Sequence, residues 1–241
     1  MNKGGITLTF GDCAENHVGM QKIGSKELNG FSLSDIKEIV EKFPDKEIIK
    51  YKLHQGINNN KAYVYVIKNV FPDHEELYEE LKNLDWDKKA YMYGRVVNKH
   101  ARYNLCFADF NQDPDYENGK GRIIKINEIQ SLNKINDIIS QLPHCSNLKV
   151  EGNYYYDINK CGIGFHGDSE RRKVIGVRLG ETFPIVFRWY HKNNPISDII
   201  SIPINSGDIY IMSEKAVGTD WKSSNTQTLR HAAGSDKFIY G

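Results

Sequence analysis

A histidine and an aspartate stand two residues apart in the run Gly162-Ile-Gly-Phe-His-Gly-Asp-Ser169. On extended backbone, side chains alternate between faces, so His166 and Asp168 point the same way and can meet one metal ion. A second histidine from elsewhere would complete a two-histidine, one-carboxylate face. That ligand set suits non-haem iron(II) and leaves positions open for O2 and a co-substrate. Alone, a His-x-Asp pair is more often a solvated turn, so the weight falls on what surrounds it.

Other clusters each carry two readings. Asp12, Cys13, Glu15 and His17 fall within six residues and could form a second metal site. Their spacing fits no zinc pattern, and a polar turn leading into a packed segment, or part of a substrate-recognition module, is the alternative. Arg171-Arg172-Lys173 suits either a phosphate grip beside a metal or a charged turn. Arg188 and Trp189 suit a base-stacking wall, or a solvated arginine beside a sheet-packing tryptophan. Tyr91, Tyr93, Arg95, Lys99, His100 and Arg102 interleave aromatics with cations, as base stacking and phosphate contacts require, and a solvated hairpin would look the same.

The 241 residues allow one substantial domain with an appendage, or two small ones. A hydrophobic share of 39% with 26% charged residues reads as a globular chain. No apolar run approaches a membrane span, and the first residues lack the apolar core of a signal peptide. The four cysteines are scattered without a CxxC pair, which points to reduced thiols and a cytoplasmic or nuclear location. A net charge of +1 gives no global basic field, so nucleic-acid binding would need a local patch.

These residues need a scaffold, and its elements are partly visible. Residues 5–10 predict a strand. Ile36, Ile39, Val40 and Phe43 predict a helix with Ser34 as N-cap and Pro44 as its stop. Gln55–Lys61 is the best linker candidate, 62–67 reads as a strand, and Pro72 opens a helix bearing Leu77, Leu81 and Leu84. A further helix is expected over 128–142. From about residue 148 short strand-like runs dominate: 148–156, 162–166, 174–179, 185–190, 199–204, 208–212, 226–232 and 237–240. Eight such runs predict an α+β, mainly β fold: a double-sheet jelly roll with the preceding helices packed on one face.

The stretch Asn153-Tyr-Tyr-Tyr-Asp-Ile-Asn-Lys-Cys-Gly-Ile-Gly-Phe-His-Gly-Asp168 resembles the AlkB-type members of the iron(II)- and 2-oxoglutarate-dependent oxygenase superfamily. It is similar to their Asn-x-Tyr element followed by the iron-binding His-x-Asp. Val174–Gly180, Pro184–Arg188 and Ser206–Met212 resemble the strands that follow, and Val66–Phe71 through Tyr93-Gly-Arg95 loosely matches the opening strand and helix. The resemblance divides the chain into an N-terminal extension or small recognition module of unknown role, 1–60, and an oxygenase domain on a double-stranded β-helix, 61–241.

The resemblance implies Fe(II), with 2-oxoglutarate and O2 as co-substrates. It places the distal iron ligand on the seventh barrel strand. His191 follows Asp168 too closely, which leaves His231 beside His166 and Asp168. Asn153 and Tyr155 sit where hydrogen bonds to 2-oxoglutarate are expected. The far carboxylate of 2-oxoglutarate needs a cation, and here the chain departs from the family. Members of that type carry two arginines on the last strand, whereas the only cation downstream of His231 is Lys237. Lys237 and Arg178 are rival candidates, Arg178 because it shares strand parity with Gly176. Tyr93, Arg95, Arg102 and Arg188 are the candidate substrate residues. The activity implied is hydroxylation or oxidative demethylation with release of succinate and CO2. The substrate is an alkylated nucleobase, or else a protein side chain, amino acid or other small molecule. A binding module that kept the fold without catalysis is the third reading.

Overall fold

The computed structural model describes residues 4–53 and 61–241, so the Gln55–Asn60 part of the expected linker lies outside the described residues. The chain is mainly β with few helices. Its N-terminal half holds β1 (Gly5–Gly11), β2 (Cys13–Glu15), β3 (Lys22–Gly24), β4 (Ile48–Lys52), β5 (Tyr63–Ile67), β6 (Lys89–Met92), β7 (Arg95–Asn98), β8 (Tyr103–Ala108) and β9 (Ile123–Lys125). The C-terminal half holds β10 (Lys149–Tyr155), β11 (Gly162–His166), β12 (Val174–Gly180), β13 (Phe183–His191), β14 (Asn194–Pro195), β15 (Ile200–Ile204), β16 (Ile209–Met212) and β17 (Thr228–Gly234). The helices are α1 (Leu33–Val40), α2 (His74–Lys82), α3 (Gln130–Ser140), α4 (Glu214–Val217) and α5 (Asp236–Ile239).

Among the described residues the strands form two main sheets. The larger runs β4-β5-β16-β12-β1-β10-β8-β9, and the smaller joins β11, β17, β13 and β14, with β15 also on β13. β1 explains how they are layered. Its alternation sends Ile6, Leu8 and Phe10 to one face, where they pack with Ile36 and Ile39 of α1, Leu77 and Leu81 of α2, and Leu132, Ile135 and Ile139 of α3. Thr7 and Thr9 face the opposite way, toward the smaller sheet. There Val64 and Val66 of β5 and Met212 of β16 meet Phe187 and Trp189 of β13 and Leu229 of β17 in a second core. Helices thus cover one face of the large sheet and the small sheet covers the other. Each aliphatic side chain so buried contributes roughly 1.5–3 kcal/mol.

Three expectations need correction. Residues 1–60 do not stand apart: β1 is paired antiparallel with β10 on one edge and β12 on the other, at the centre of the large sheet. β4 likewise pairs with β5. The β1 pairings span more than a hundred residues and leave no local trace in the sequence. The last run is not a strand, because Ser235 and Asp236 open the short helix α5. The N-cap of α1 is Ser32 rather than Ser34, since its hydroxyl accepts the Asp35 N–H while the Asp35 carboxylate accepts the Ser32 N–H.

Candidate metal centre

β11 and β17 pair antiparallel with His166 directly opposite His231, after a register irregularity between Ile163 and His166. The two imidazole rings lie 4.4 Å apart at 60°. Asp168 follows just beyond β11, where its N–H donates to the Val217 carbonyl at 3.1 Å. Its Oδ1 stands 3.6 Å from His166 Nε2 and 3.4 Å from His231 Nε2. One ligand atom from each of the three residues lies within 4.8 Å of the others, and no second group with such spacing occurs among the described residues.

The chemistry of the donors fits a divalent metal. His166 Nδ1 lies 2.9 Å from the Gly164 carbonyl, which only accepts, so the proton sits on Nδ1 and the Nε2 lone pair faces Asp168 and His231. Burial, helped by His231 and opposed by Asp168, pushes the His166 imidazole down to about 3, which keeps it neutral. Burial alone would raise the Asp168 carboxyl. The Arg171 guanidinium and His231 outweigh it and hold the group well below the usual carboxylate range. Arg171 Nε stands 3.5 Å from Asp168 Oδ2, the oxygen away from the imidazoles.

The residue between the ligands is confined by backbone. A Cβ at Gly167 would stand 2.0 Å from the Gly218 carbonyl oxygen and 2.8 Å from the Trp221 Cβ. No rotamer change relieves a clash with main chain. Gly167→Ala is expected to cost about 1–3 kcal/mol in denaturant melts and to weaken Mn(II) binding about 10- to 100-fold. An alanine variant with unchanged melts and Mn(II) titration would contradict this account of the turn.

The three residues open into a cavity of about 790 Å³ between the sheets. Its floor is a polar stripe across the large sheet, since Asn153, Thr7 and Arg178 are register partners on β10, β1 and β12. Glu151, Thr9 and Gly176 form the next row. Gly176 leaves room for Tyr210, whose ring carbon Cζ would lie 2.0 Å from a Cβ at that position.

Arg178 is 1% exposed and lines the inner end of the cavity. Its guanidinium lies 3.4 Å from the Phe183 ring centroid, and its Nε and Nη1 have no hydrogen-bond partner. Burial pushes it down to about 10. Lys237, its rival for a carboxylate, is exposed in the first turn of α5 and does not line the cavity. Asn153 and Tyr155 both line the cavity. The Asn153 side chain is engaged by the protein: its Oδ1 accepts from Arg102 Nε at 2.7 Å and Asn104 Nδ2 at 2.8 Å. Its Nδ2 donates to Glu151 at 3.0 Å.

Of the four substrate candidates only Arg102 reaches the cavity. Tyr93 is 89% exposed at the tip of the β6–β7 hairpin, and Arg95 beside it is exposed. Their hairpin projects both side chains into solvent rather than over the metal ligands. Arg188 points to the outer face of the small sheet, where its Nε donates to the Ser197 carbonyl at 3.0 Å. Trp189 is a core residue whose indole N–H donates to the Leu53 carbonyl, so neither forms a stacking wall.

The remaining clusters also resolve. Asp12 is spent on backbone, accepting N–H groups of Glu27, Arg172 and Lys173 at 2.6, 2.9 and 2.8 Å. It is therefore a brace rather than a metal ligand. Arg171, Arg172 and Lys173 are paired with Glu151 and Glu170, with Glu214, and with Glu27 respectively, which leaves no phosphate grip. Lys99 is buried, donating to Asn16 Oδ1 at 2.8 Å and Asn104 Oδ1 at 2.9 Å.

Burial pushes Lys99 down to about 8 from an ordinary 10.5. Below pH 8 both folded and unfolded chains carry the charge. Between the two values the unfolded chain binds more protons, so this group makes stability rise with pH. The stability difference between wild type and Lys99→Met should therefore grow by up to about 3 kcal/mol across that window in urea melts. A pH-independent difference would refute a desolvated ammonium.

Sequence reasoning missed Thr7, Thr9, Glu151, Tyr210 and Trp221, all of which line the cavity. A signal existed for some. Thr7 and Thr9 are the polar parity of an otherwise apolar strand, and Glu151 shares parity with Asn153 and Tyr155 on β10.

The fold and site together define a mainly β protein with a two-histidine, one-carboxylate cluster inside an inter-sheet cavity. No protein-family model matches the chain. An uncharacterized protein of Acanthamoeba polyphaga mimivirus is 51% identical to it over 245 residues, covering 97% of each. The chain belongs to the family of that mimivirus protein.

Proposed function

We propose that the protein is an iron(II)- and 2-oxoglutarate-dependent dioxygenase of the AlkB-like superfamily, with a double-stranded β-helix core. The observation that carries this reading is one cavity that brings two kinds of binding group together. Three metal-type ligands converge at one place, and at the inner end a buried arginine has unpaired N–H groups. A buried guanidinium without acceptors is costly, and a carboxylate is its geometric complement. A small acid that chelates a metal at one end and carries a carboxylate at the other would serve both, as 2-oxoglutarate does.

When bound, iron would supply O2 activation coupled to oxidative decarboxylation, one oxygen atom going to succinate and the other to a substrate C–H bond. The chain's own residues have defined tasks. His166, Asp168 and His231 would hold the metal, and the His166–Gly164 contact fixes the tautomer that ligation needs. Arg178 would anchor the far carboxylate, with Tyr155 and Tyr210 beside it. The covering sheet keeps water away from the reacting atoms. No helix among the described residues is long and apolar enough to cross a membrane.

The test is succinate and CO2 release from 2-oxoglutarate with Fe(II) and ascorbate, alongside Mn(II) binding. Metal-dependent succinate above background is the expected result. Tight Mn(II) binding with no succinate, across a broad substrate panel, would instead favour a binding module that lacks catalysis. Absence of Mn(II) binding would overturn the metal site itself.

A further inference from the structure

We propose that the outer half of the cavity binds a small zwitterion with an α-amino acid head group, its carboxylate on Arg102 and its ammonium on Glu15. The inference rests on the oxygenase reading for what is done to the ligand, whereas the binding itself does not require it.

Two unspent groups of opposite charge carry the proposal. Arg102 lines the cavity and donates its Nε to Asn153 at 2.7 Å, while neither of its Nη groups has a protein partner among the described residues. That leaves a guanidinium edge of the shape that receives a carboxylate through paired N–H donors. Glu15 is 7% exposed, and its Oε1 accepts the Gly19 N–H at 2.9 Å. Its Oε2 accepts nothing among the described residues, although it lines the same space. Lys22, the cross-strand neighbour of Glu15, is exposed and forms no ion pair with it among the described residues.

A carboxylate that is largely buried, with one oxygen open to the cavity and without a protein donor among the described residues, is complemented by a charged N–H group. Burial pushes the Glu15 carboxyl up, against the Gly19 N–H and Lys22, in keeping with a group short of partners. The other carboxylates nearby are already used. Glu151 accepts from Arg171, from Asn153 and from the Glu15 N–H, and Glu170 accepts from Arg171. Besides Arg178, the lining cations without an ion pair among the described residues are Arg102, Lys22 and Lys222, and only Arg102 of these three is not exposed. With Glu15 as the anion, the pair matches an ammonium and a carboxylate on one small molecule.

Size and rim agree. About 790 Å³ accommodates a dicarboxylate co-substrate and one further small molecule. The mouth is bordered by His17–Met20 and by Trp221 and Lys222, whereas the Tyr93 hairpin that would grip a polymer lies outside the cavity lining.

The experiment is calorimetric binding of the twenty free amino acids to the full chain loaded with Mn(II) and N-oxalylglycine, and to the unloaded chain. N-acetyl and carboxamide derivatives and a methylated oligonucleotide complete the panel. At least one free amino acid is expected to bind, and blocking either its amine or its carboxylate should weaken it at least about tenfold. Glu15→Gln should lose the preference for the free amine, and Arg102→Gln the preference for the free carboxylate. The blocked ligands test the idea on wild-type protein, so it does not depend on either variant folding. Binding of the oligonucleotide or of blocked derivatives alone, or no amino acid binding at all, would overturn the proposal. Amino-acid binding without succinate formation would leave it standing and remove the oxygenase reading.

Discussion

Asp168→Ala should lower Mn(II) affinity at least about 100-fold, beyond what loss of a supporting partner costs a metal site. Among the described residues the carboxylate is the only anion facing both imidazoles: its Oδ1 lies 3.6 Å from His166 Nε2 and 3.4 Å from His231 Nε2. Removing it leaves the two imidazoles without an anion and the positive Arg171 behind them, a field that repels a dication. The fold should survive, because Arg171 keeps its contacts to Glu151 and Glu170. Isothermal titration with Mn(II) and a denaturant melt on the same sample give both numbers. A variant that binds Mn(II) like wild type would show that the metal sits elsewhere. Arg171→Met separates ligation from positioning. It frees Oδ2 and should weaken Mn(II) binding about 10- to 100-fold, less than loss of Asp168 itself.

The His166, Asp168 and His231 cluster was the most legible part of this chain, for a local reason. Strand parity places His166 and Asp168 on one side whatever the rest of the fold does. His231 needed more, namely that its strand pair with β11, and the structure puts it opposite His166. Helices α2 and α3 were readable from their apolar stripes, since Leu77 and Leu81 or Leu132, Ile135 and Ile139 recur at helical spacing. The place of β1 was not readable. Its alternation announced a strand with a polar face, but nothing local says that residues 5–11 lie between residues 149–155 and 174–180. Glu15 was legible only within the Asp12–His17 run, which reads as a metal cluster, a polar turn or part of a substrate-recognition module, and long-range packing separates it from Asp12. Asp12 braces backbone, whereas Glu15 turns into the cavity. The β6–β7 hairpin failed in the opposite sense. An interleaved aromatic and basic run looks alike whether it covers a site or stands in solvent, and exposure is a tertiary property.

The sharpest separation between a binding role and a structural one lies at Arg178. Arg178→Met should raise the 2-oxoglutarate concentration for half-maximal succinate formation by at least about 100-fold, the scale of losing a charged partner to a carboxylate. Turnover at saturation should change far less, because Arg178 is not one of the three metal-type ligands and its guanidinium packs on the Phe183 ring. Stability should move the other way. The guanidinium is 1% exposed, and its Nε and Nη1 make no hydrogen bond. An apolar chain of similar length against Phe183, Tyr155 and Tyr210 should therefore leave the melting midpoint unchanged or raise it. A structural arginine would give the reverse pattern, a lower midpoint with normal 2-oxoglutarate dependence. Arg178→Lys should fall between, since an ammonium keeps the charge and loses the paired N–H edge. Lys237→Ala, on the exposed first turn of α5, should match wild type in both measurements. If Arg178→Met also matches wild type in 2-oxoglutarate dependence, the carboxylate is held by another group and the inner end of the cavity serves some other ligand.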